Sequence, residues 1–189
     1  MNTFDPETHQ YHIDEVPVVS VTQVLGDLLP GWKASEWHLN RGRAVHAAAA
    51  MVAQGIAFTH DPQIDGQVAA CRKFFQEVKP VVGDVERQVY NKPNQFAGTL
   101  DLACMIGRKL VILDYKATLS PTVAWQCAAY ALAGTYLGAY GVGVELREDG
   151  TYYMSTMYDL KIYQREFLAL LTAYKVRKRL GMTNETKEE

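Results

Sequence analysis

The feature that most constrains this chain is the sequence Asp114-Tyr115-Lys116 at the end of a strongly apolar segment. Residues 110–113 read Leu-Val-Ile-Leu, a run typical of a buried β-strand. Burial of an unpaired charge costs several kcal/mol, so interior carboxylates are usually paired or bind a metal ion. The charges at this position therefore indicate a functional site within a sheet.

A second acidic residue, Asp101, lies in the preceding strand-like segment, residues 96–106. Only Gly107-Arg108 separates this segment from the next strand, and glycine at the first central position favours a two-residue type II′ hairpin turn. Counting outward from that turn places Asp101 directly opposite Asp114. The two carboxylates are therefore predicted to be neighbours across the hairpin.

A third acidic residue, Glu86, extends the same row. The turn before the strand of Asp101 is predicted to centre on Pro93-Asn94 as a type I turn, which places Glu86 opposite Asp101. Lys116 lies two residues beyond Asp114 and shares its face, because strand side chains alternate. The residues that face each other, Glu86, Asp101 and Asp114, are called the acidic row below.

Like charges that face each other in a sheet are destabilising, by about 3 kcal/mol per pair at about 5 Å and an effective dielectric of about 20. A divalent cation removes this penalty, and oxygen ligands favour Mg²⁺ or Mn²⁺ over zinc. The alternative is a surface Asp-x-Lys with an ordinary ion pair. The agreement of Glu86, Asp101 and Lys116 with one register favours the metal site.

Several blocks in order resemble the PD-(D/E)XK nuclease superfamily, in its RecB-like branch. The opening, residues 17–25, is similar to that of phage exonucleases and mitochondrial genome maintenance exonucleases, and the resemblance extends from about Tyr11 to Arg179. The other blocks are Arg41-Gly42-Arg43-Ala44-Val45-His46, Gly98-Thr99-Leu100-Asp101, Asp114-Tyr115-Lys116 and Gln126-x-x-x-Tyr130. One departure is Lys116-Ala117-Thr118, where many relatives have Lys-Thr-Gly.

The resemblance implies an α/β fold with a restriction-endonuclease-like core, a central mixed β-sheet flanked by helices. It implies a Mg²⁺- or Mn²⁺-dependent exonuclease that degrades DNA from its ends in phage or prophage recombination or repair, with a phage recombination or annealing protein as a further partner. An endonuclease or structure-specific nuclease with the same site is an alternative. A non-catalytic DNA-binding scaffold is another, although the intact charged set argues against it.

Hydrolysis of a phosphodiester needs an activated water, charge stabilisation and help for the leaving oxygen, and bound metal can supply all three. Asp101 and Asp114 are the predicted ligands, with the Tyr115 carbonyl a further one and Glu86 a second-site or water-mediated ligand. Lys116 is predicted to orient or help deprotonate the attacking water. Burial lowers the pKa of this lysine and the carboxylates raise it, so the sequence leaves the sign open.

His46 has two interpretations. A lone histidine on an apolar helix is more often a core residue than a ligand, but the resemblance implies that His46 binds metal. Gly42 lies one turn earlier on the same face, where it would let substrate or metal approach the backbone.

Substrate contacts are predicted for five residues. Gln126 and Tyr130 are four residues apart and share a helix face, and the resemblance implies that they position a phosphate or a base. Arg41 and Arg43 are predicted to contact DNA, and Trp32 to stack on a base.

The remaining composition fits one domain over residues 1–180 and an acidic, disordered tail over 181–189. A net charge of −2 argues against a passive, charge-driven DNA coat. No apolar run approaches the length of a membrane span, no secretory segment opens the chain, and a cytoplasmic location is expected. The cysteines are Cys71, Cys104 and Cys127; their wide spacing predicts buried hydrophobic residues and no iron–sulfur cluster.

The predicted order of elements is helix–helix–three strands–helix–two strands–helix, preceded by a short helix entered through Ser20 or Thr22. The first long helix is predicted to run from Ser35 to about Gln54, with Trp37 packed in the core, and the second from Ile64 to Val78. The later elements are a helix from Ser120-Pro121 to about Leu137, a hairpin over residues 148–150, and a helix from Asp159 to about Arg179.

Overall fold

A computed structural model describes residues 1–6, 8–29 and 36–183. The strands and helices in chain order are β1 (Thr3–Asp5), β2 (Gln10–Ile13), β3 (Val16–Ser20), α1 (Val21–Leu28), α2 (Glu36–Gln54), α3 (Asp65–Val78), β4 (Val81–Asn91), β5 (Phe96–Ile106), β6 (Lys109–Lys116), α4 (Thr122–Ala133), β7 (Tyr140–Leu146), β8 (Tyr152–Met154), β9 (Tyr158–Asp159) and α5 (Leu160–Arg179).

The strands form one mixed sheet with helices on both faces. Strands β4, β5 and β6 are antiparallel, whereas β7 lies parallel to β6 because α4 crosses between them. The helices α1, α4 and α5 bury one face of the sheet, and α2 and α3 bury the other. The predicted fold class, α/β with a central mixed sheet flanked by helices, is confirmed.

The register of the β5–β6 hairpin is the one predicted from its turn. Gly107 has φ +61°, as the first central position of a type II′ turn requires. Leu102 pairs with Leu113, and the next position of this register places Asp101 opposite Asp114.

The register of β4 and β5 also agrees with the prediction. Arg87 pairs with Leu100 and Asn91 with Phe96, so the connection centres on Pro93-Asn94. Glu86 then faces Asp101, and the three strands carry the acidic row side by side.

The sheet splits beside the central strand β5. Strand β4 occupies one edge of β5 along most of its length. On the other edge, β3 pairs in parallel with residues 96–97, and β6 pairs with residues 102–106. The segment 98–101 lies between these two neighbours, so Gly98 and Asp101 flank a fork in the sheet.

The N-terminal region differs from the prediction. Residues 3–20 contain three short strands instead of a direct entry into a helix, and β1, β2 and β3 pair in antiparallel order. Ser20 then caps α1, with its side chain accepting from the Gln23 amide while Gln23 reaches back to the Ser20 amide. The choice of Ser20 as a cap was right, and Thr22 was the wrong alternative.

Two further details were wrong. Helix α4 begins at Thr122, because its N-cap is Pro121 and not Ser120, and it ends at Ala133 and not near Leu137. Trp37 is 51% exposed and its ring stacks against the Arg41 guanidinium, because it lies near the start of α2, away from the sheet. Ser35, the predicted cap of α2, lies outside the described residues, as does most of the predicted tail, 184–189.

The three cysteines are buried and free, as expected for small hydrophobic residues. Cys127 packs between α4 and the sheet, whereas Cys71 and Cys104 lie in the core on the opposite face. Among the described helices, none combines the length and the apolar character that a membrane crossing requires.

Candidate active site

A cleft of about 550 Å³ opens at the fork in the sheet. It lies between the N-terminal strands, α2 and α4, with the segment 98–101 at its base. The predicted site residues that line it are Arg43, His46, Glu86, Asp101, Lys116, Gln126 and Tyr130. These residues come from α2, β4, β5, β6 and α4, so elements that are far apart in sequence meet at this cleft.

Asp101 is the most extensively bonded carboxylate of the site. The Tyr115 amide donates to Asp101 Oδ2 over 2.8 Å, and His46 Nδ1 lies 3.2 Å from Asp101 Oδ1. Burial by itself raises the pKa of this carboxyl, but the His46 charge and hydrogen bond, together with Lys116, lower it below its usual value. Asp101 is therefore ionised at neutral pH.

His46 reaches the acidic row from α2. The small side chains around it, Ala47, Ala48, Ala49 and Ala50, let this part of the helix approach the sheet. Burial lowers the pKa of His46, but the Asp101 carboxylate outweighs burial and raises the pKa to about 9. The imidazole is protonated in the absence of a competing cation, and binding of a metal through it would require loss of that proton.

Asp114 forms an ion pair with Lys116 at the inner end of the cleft. Asp114 is fully buried, and its Oδ2 lies 2.7 Å from Nζ of Lys116, whose side chain is 26% exposed. The Oδ1 atom of Asp114 is buried and has no hydrogen-bond partner among the described residues. Burial, together with the charge of Asp101, raises the pKa of Asp114 to about 6 against the opposing effect of Lys116. The pKa of Lys116 is raised, because Asp114 and Asp101 outweigh burial, which answers the question that the sequence left open.

Glu86 lies at an irregular point of β4. The register of β4 shifts between Val82 and Val85, and Glu86 itself has φ +47°, a conformation that costs a non-glycine residue roughly 1–3 kcal/mol. Its side chain lies at the exposed rim of the cleft. Desolvation within the cleft, followed by the charge of Asp101, raises the pKa of Glu86 to about 7.

The side chains His46, Glu86 and Asp101 fit a divalent cation. Each offers one ligand atom, and these atoms all lie within 4.8 Å of one another. Asp114 is not part of that set, but its unpartnered Oδ1 is a further acceptor buried in the same region. One imidazole nitrogen with several carboxylate oxygens suits Mn²⁺ or Mg²⁺. The roles of Asp114 and of the Tyr115 carbonyl as ligands stay predictions.

Gln126 and Tyr130 lie side by side on the first turns of α4, facing the cleft. Gln126 Nε2 donates to Tyr130 Oη over 3.0 Å, and both side chains are buried. Burial and the nearby carboxylates raise the pKa of Tyr130 well above its usual value, so the phenol stays neutral. The pair presents neutral polar groups to a ligand, and its role in substrate positioning stays a prediction.

The predicted DNA-contacting residues divide into three cases. Arg43 lines the cleft and its Nη1 approaches Asn40 Oδ1 at 3.3 Å. Arg41 lies outside the cleft, with Nη1 bound to Glu148 at 2.5 Å, so its charge is already compensated. Trp32 lies outside the described residues.

Some cleft residues were missed by the sequence analysis. Tyr11 Oη and Thr99 Oγ1 are 2.8 Å apart, and His9 lines the cleft beside them. The sequence offered two signals for this strand: polar and apolar residues alternate over 10–13, and an Asp-Glu turn follows. Such short strands seldom stand out from loops by pattern alone.

Substitution of Gly98 tests the packing of the Tyr130 ring against β5 at the base of the cleft. A Cβ at this position would lie 2.6 Å from Tyr130 Cε1, so Gly98→Ala should displace the buried ring and disturb its bond with Gln126. We expect a loss of roughly 1–3 kcal/mol in the free energy of unfolding, measured by urea denaturation. Gly26→Ala is the control, because its Cβ would meet nothing within 4 Å and alanine favours a helix. Equal stability of the two variants would contradict this account.

Comparison with known proteins gives structural similarity only. No protein-family model matches the chain, and no curated protein matches it. The structure of the exonuclease LHK-Exo in complex with dAMP is similar, with a TM-score of 0.43 and 14% identity over 86% of this chain and 93% of that chain. The structure of the alkaline exonuclease LHK-Exo from Laribacter hongkongensis gives a TM-score of 0.40 at the same identity and coverage. Neither similarity bears on the residues of the site.

Proposed function

We propose that this protein is a metal-dependent DNA exonuclease. The observation that carries the proposal is the convergence of three carboxylates, a lysine and a histidine at the fork of the sheet. Two of these groups, Asp101 and Asp114, are buried, and Asp114 has an acceptor oxygen that no donor among the described residues satisfies. Burial of ionised groups lowers the stability of the fold, and clusters of this kind are typical of functional sites.

Different residues of the site have different roles in the proposed hydrolysis. His46, Glu86 and Asp101 would hold a divalent cation, with Asp114 as a further ligand; the cation supplies charge neutralisation and a water of lowered pKa. Lys116, with its raised pKa, stays protonated and can hold the attacking water or a phosphoryl oxygen by donating a hydrogen bond. Before a cation binds, Lys116 is therefore an orienting cation and not a base.

The substrate is held by groups on the walls of the cleft. Arg43 supplies positive charge at one wall, and Gln126 with Tyr130 supplies neutral hydrogen-bonding groups at another. Phosphate contacts position a nucleic acid without reading its sequence. Degradation of DNA from an end, in recombination or repair of the phage type and with an annealing protein as partner, is the process that fits the resemblance of the sequence.

The proposal is tested with end-labelled linear DNA and covalently closed circles, in Mg²⁺, in Mn²⁺ and in EDTA. We expect progressive degradation of linear DNA with either metal, no degradation in EDTA, and survival of the circles. Glu86→Gln and Asp101→Asn should each reduce the rate by roughly 10²-fold or more, about 3 kcal/mol of transition-state stabilisation.

Other outcomes would redirect the proposal. Rapid nicking of closed circles would replace the exonuclease with an endonuclease that uses the same residues. Full activity in EDTA would remove the metal site. Tight DNA binding without cleavage of any substrate would favour the scaffold.

A further inference from the structure

A second cavity, of about 410 Å³, adjoins the cleft on the far side of Lys116. It shares Gly42, His46 and Lys116 with the cleft, so the two spaces meet at the proposed reaction centre. Apolar side chains form much of its wall; they include Val45, Leu119 and Leu146. We call this space the side cavity. Its volume falls in the range of small-molecule sites.

A buried amide oxygen without a partner faces the side cavity. Gln67 on α3 is only 4% exposed, and its Oε1 is buried and has no hydrogen bond to any of the described residues. An unsatisfied buried acceptor destabilises a protein, and an apolar residue of the same shape would be more stable. A ligand that donates a hydrogen bond to this oxygen would remove the cost of burying it.

The charge of the side cavity is balanced. Arg41 lines it, but Arg41 Nη1 is bound to Glu148 and Nη2 is 3.5 Å from the Gln63 carbonyl oxygen. Arg41 Nε is buried and has no partner among the described residues, so the residues that line this cavity offer one free donor as well as the free acceptor of Gln67. Gly66 supports this arrangement, because any Cβ there would overlap the Glu148 backbone, 1.8 Å from its carbonyl oxygen. A compensated arginine does not favour a phosphate, whereas an acceptor and a donor between apolar walls suit a heterocycle.

From these contacts we propose that the side cavity binds the nucleobase of the nucleotide next to the scissile phosphate, with Gln67 bonded to its edge. This inference rests on the proposed function, because that function brings the scissile phosphate to Lys116, which lines both spaces. Amide side chains pair with the polar edges of bases, and unstacked bases are held by hydrogen bonds between apolar side chains. His46 and Lys116 line both the cleft and the side cavity, so a phosphate in the cleft would lie close to a base in the side cavity.

Calorimetric titration tests the inference without any cleavage. The four deoxynucleoside 5′-monophosphates are compared with 2-deoxyribose 5-phosphate, which lacks a base, on the full chain in Mg²⁺. We expect at least one monophosphate to bind at least tenfold more tightly than the sugar phosphate, and Gln67→Leu to remove that ratio. Gln76→Leu is the matched control, since Gln76 lies exposed on the same helix, and its ratio should equal that of the wild type.

The variant should fold, because leucine removes the unsatisfied acceptor, and its melting temperature should rise. Gln67→Met is a second variant of similar shape with the same expected loss. Equal affinities of wild type for all five ligands, no binding at millimolar concentration, or an unchanged ratio in both variants would overturn the subsite. Base-dependent binding without cleavage of any DNA would instead refute the nuclease and leave a cavity that binds a nucleobase, so the two failures are distinguishable.

Discussion

Asp114→Asn is expected to produce a protein that is more stable than the wild type and inactive. Asp114 is fully buried, and burial raises its pKa from 3.8 to about 6 despite the ion pair with Lys116. Its negative charge therefore destabilises the fold at neutral pH, and the asparagine removes that charge without changing the shape. Lys116 keeps Asp101 as a second favourable charge, so the change does not leave it isolated.

The effect on stability should depend on pH in a defined direction. Because the folded pKa of Asp114 lies above its unfolded value, its favourable contribution is complete below pH 3.8 and is lost as the pH rises to about 6. The gain of Asp114→Asn should be near zero at pH 4 and reach about 1–3 kcal/mol above pH 6, in EDTA. Urea unfolding at several pH values measures it.

Activity should change in the opposite sense. Loss of an anionic ligand should lower the rate of DNA hydrolysis by roughly 10³-fold or more, about 4 kcal/mol. Glu15→Gln, at an exposed turn, is the control and should change stability by less than about 0.5 kcal/mol. A destabilised Asp114→Asn, or one with near-normal rate, would show that this carboxylate is a structural partner of Lys116.

The local parts of the site could be predicted because they depend on short turns. A two-residue hairpin turn fixes the register of Asp114 against Asp101, and a four-residue connection fixes that of Glu86. The alternation of strand side chains then determines which face of the sheet each carboxylate occupies. No contact between distant segments was needed for this step. The acidic row is thus encoded within about thirty residues of sequence.

The cleft itself could not be predicted in this way. It exists because β3 pairs in parallel with β5 at Val19 and Phe96, which are far apart in the chain, and because neither β3 nor β6 forms a strand pair with residues 98–101 on that edge. Local patterns carry no information about such a pairing. The same holds for His46, whose approach to Asp101 was implied by family resemblance rather than by any feature of its helix.

The electrostatic state of the site also required coordinates. Burial and nearby carboxylates shift the pKa of a lysine in opposite directions, and only the 2.7 Å separation of Lys116 from Asp114 decides between them. The unpartnered oxygen of Gln67 also required coordinates, because in the sequence Gln67 is one more polar residue on a helix. Its lack of a partner follows from the packing around it.

Lys116→Met should be the most damaging single change, for stability and for catalysis together. Methionine fills a similar volume but leaves the Asp114 carboxylate buried without its cation, and loss of one partner of a buried pair costs about 3–5 kcal/mol. Loss of the orienting ammonium should lower the hydrolysis rate by roughly 10²–10⁴-fold. Lys73→Met, at an exposed position on α3, is the control and should change neither property.

The double variant Asp114→Asn/Lys116→Met separates the two effects. Without Lys116, the pKa of Asp114 should rise further, so Lys116→Met should lose most stability at pH 8 and least at pH 5, where the carboxyl can take up a proton. Once Asp114 is neutral, removal of the lysine has no unpaired anion to expose, and stability should return near the wild-type value while activity stays lost. Additive losses in the double variant would mean that the lysine stabilises the fold through other contacts than Asp114, and the buried ion pair would not be the reason for its position.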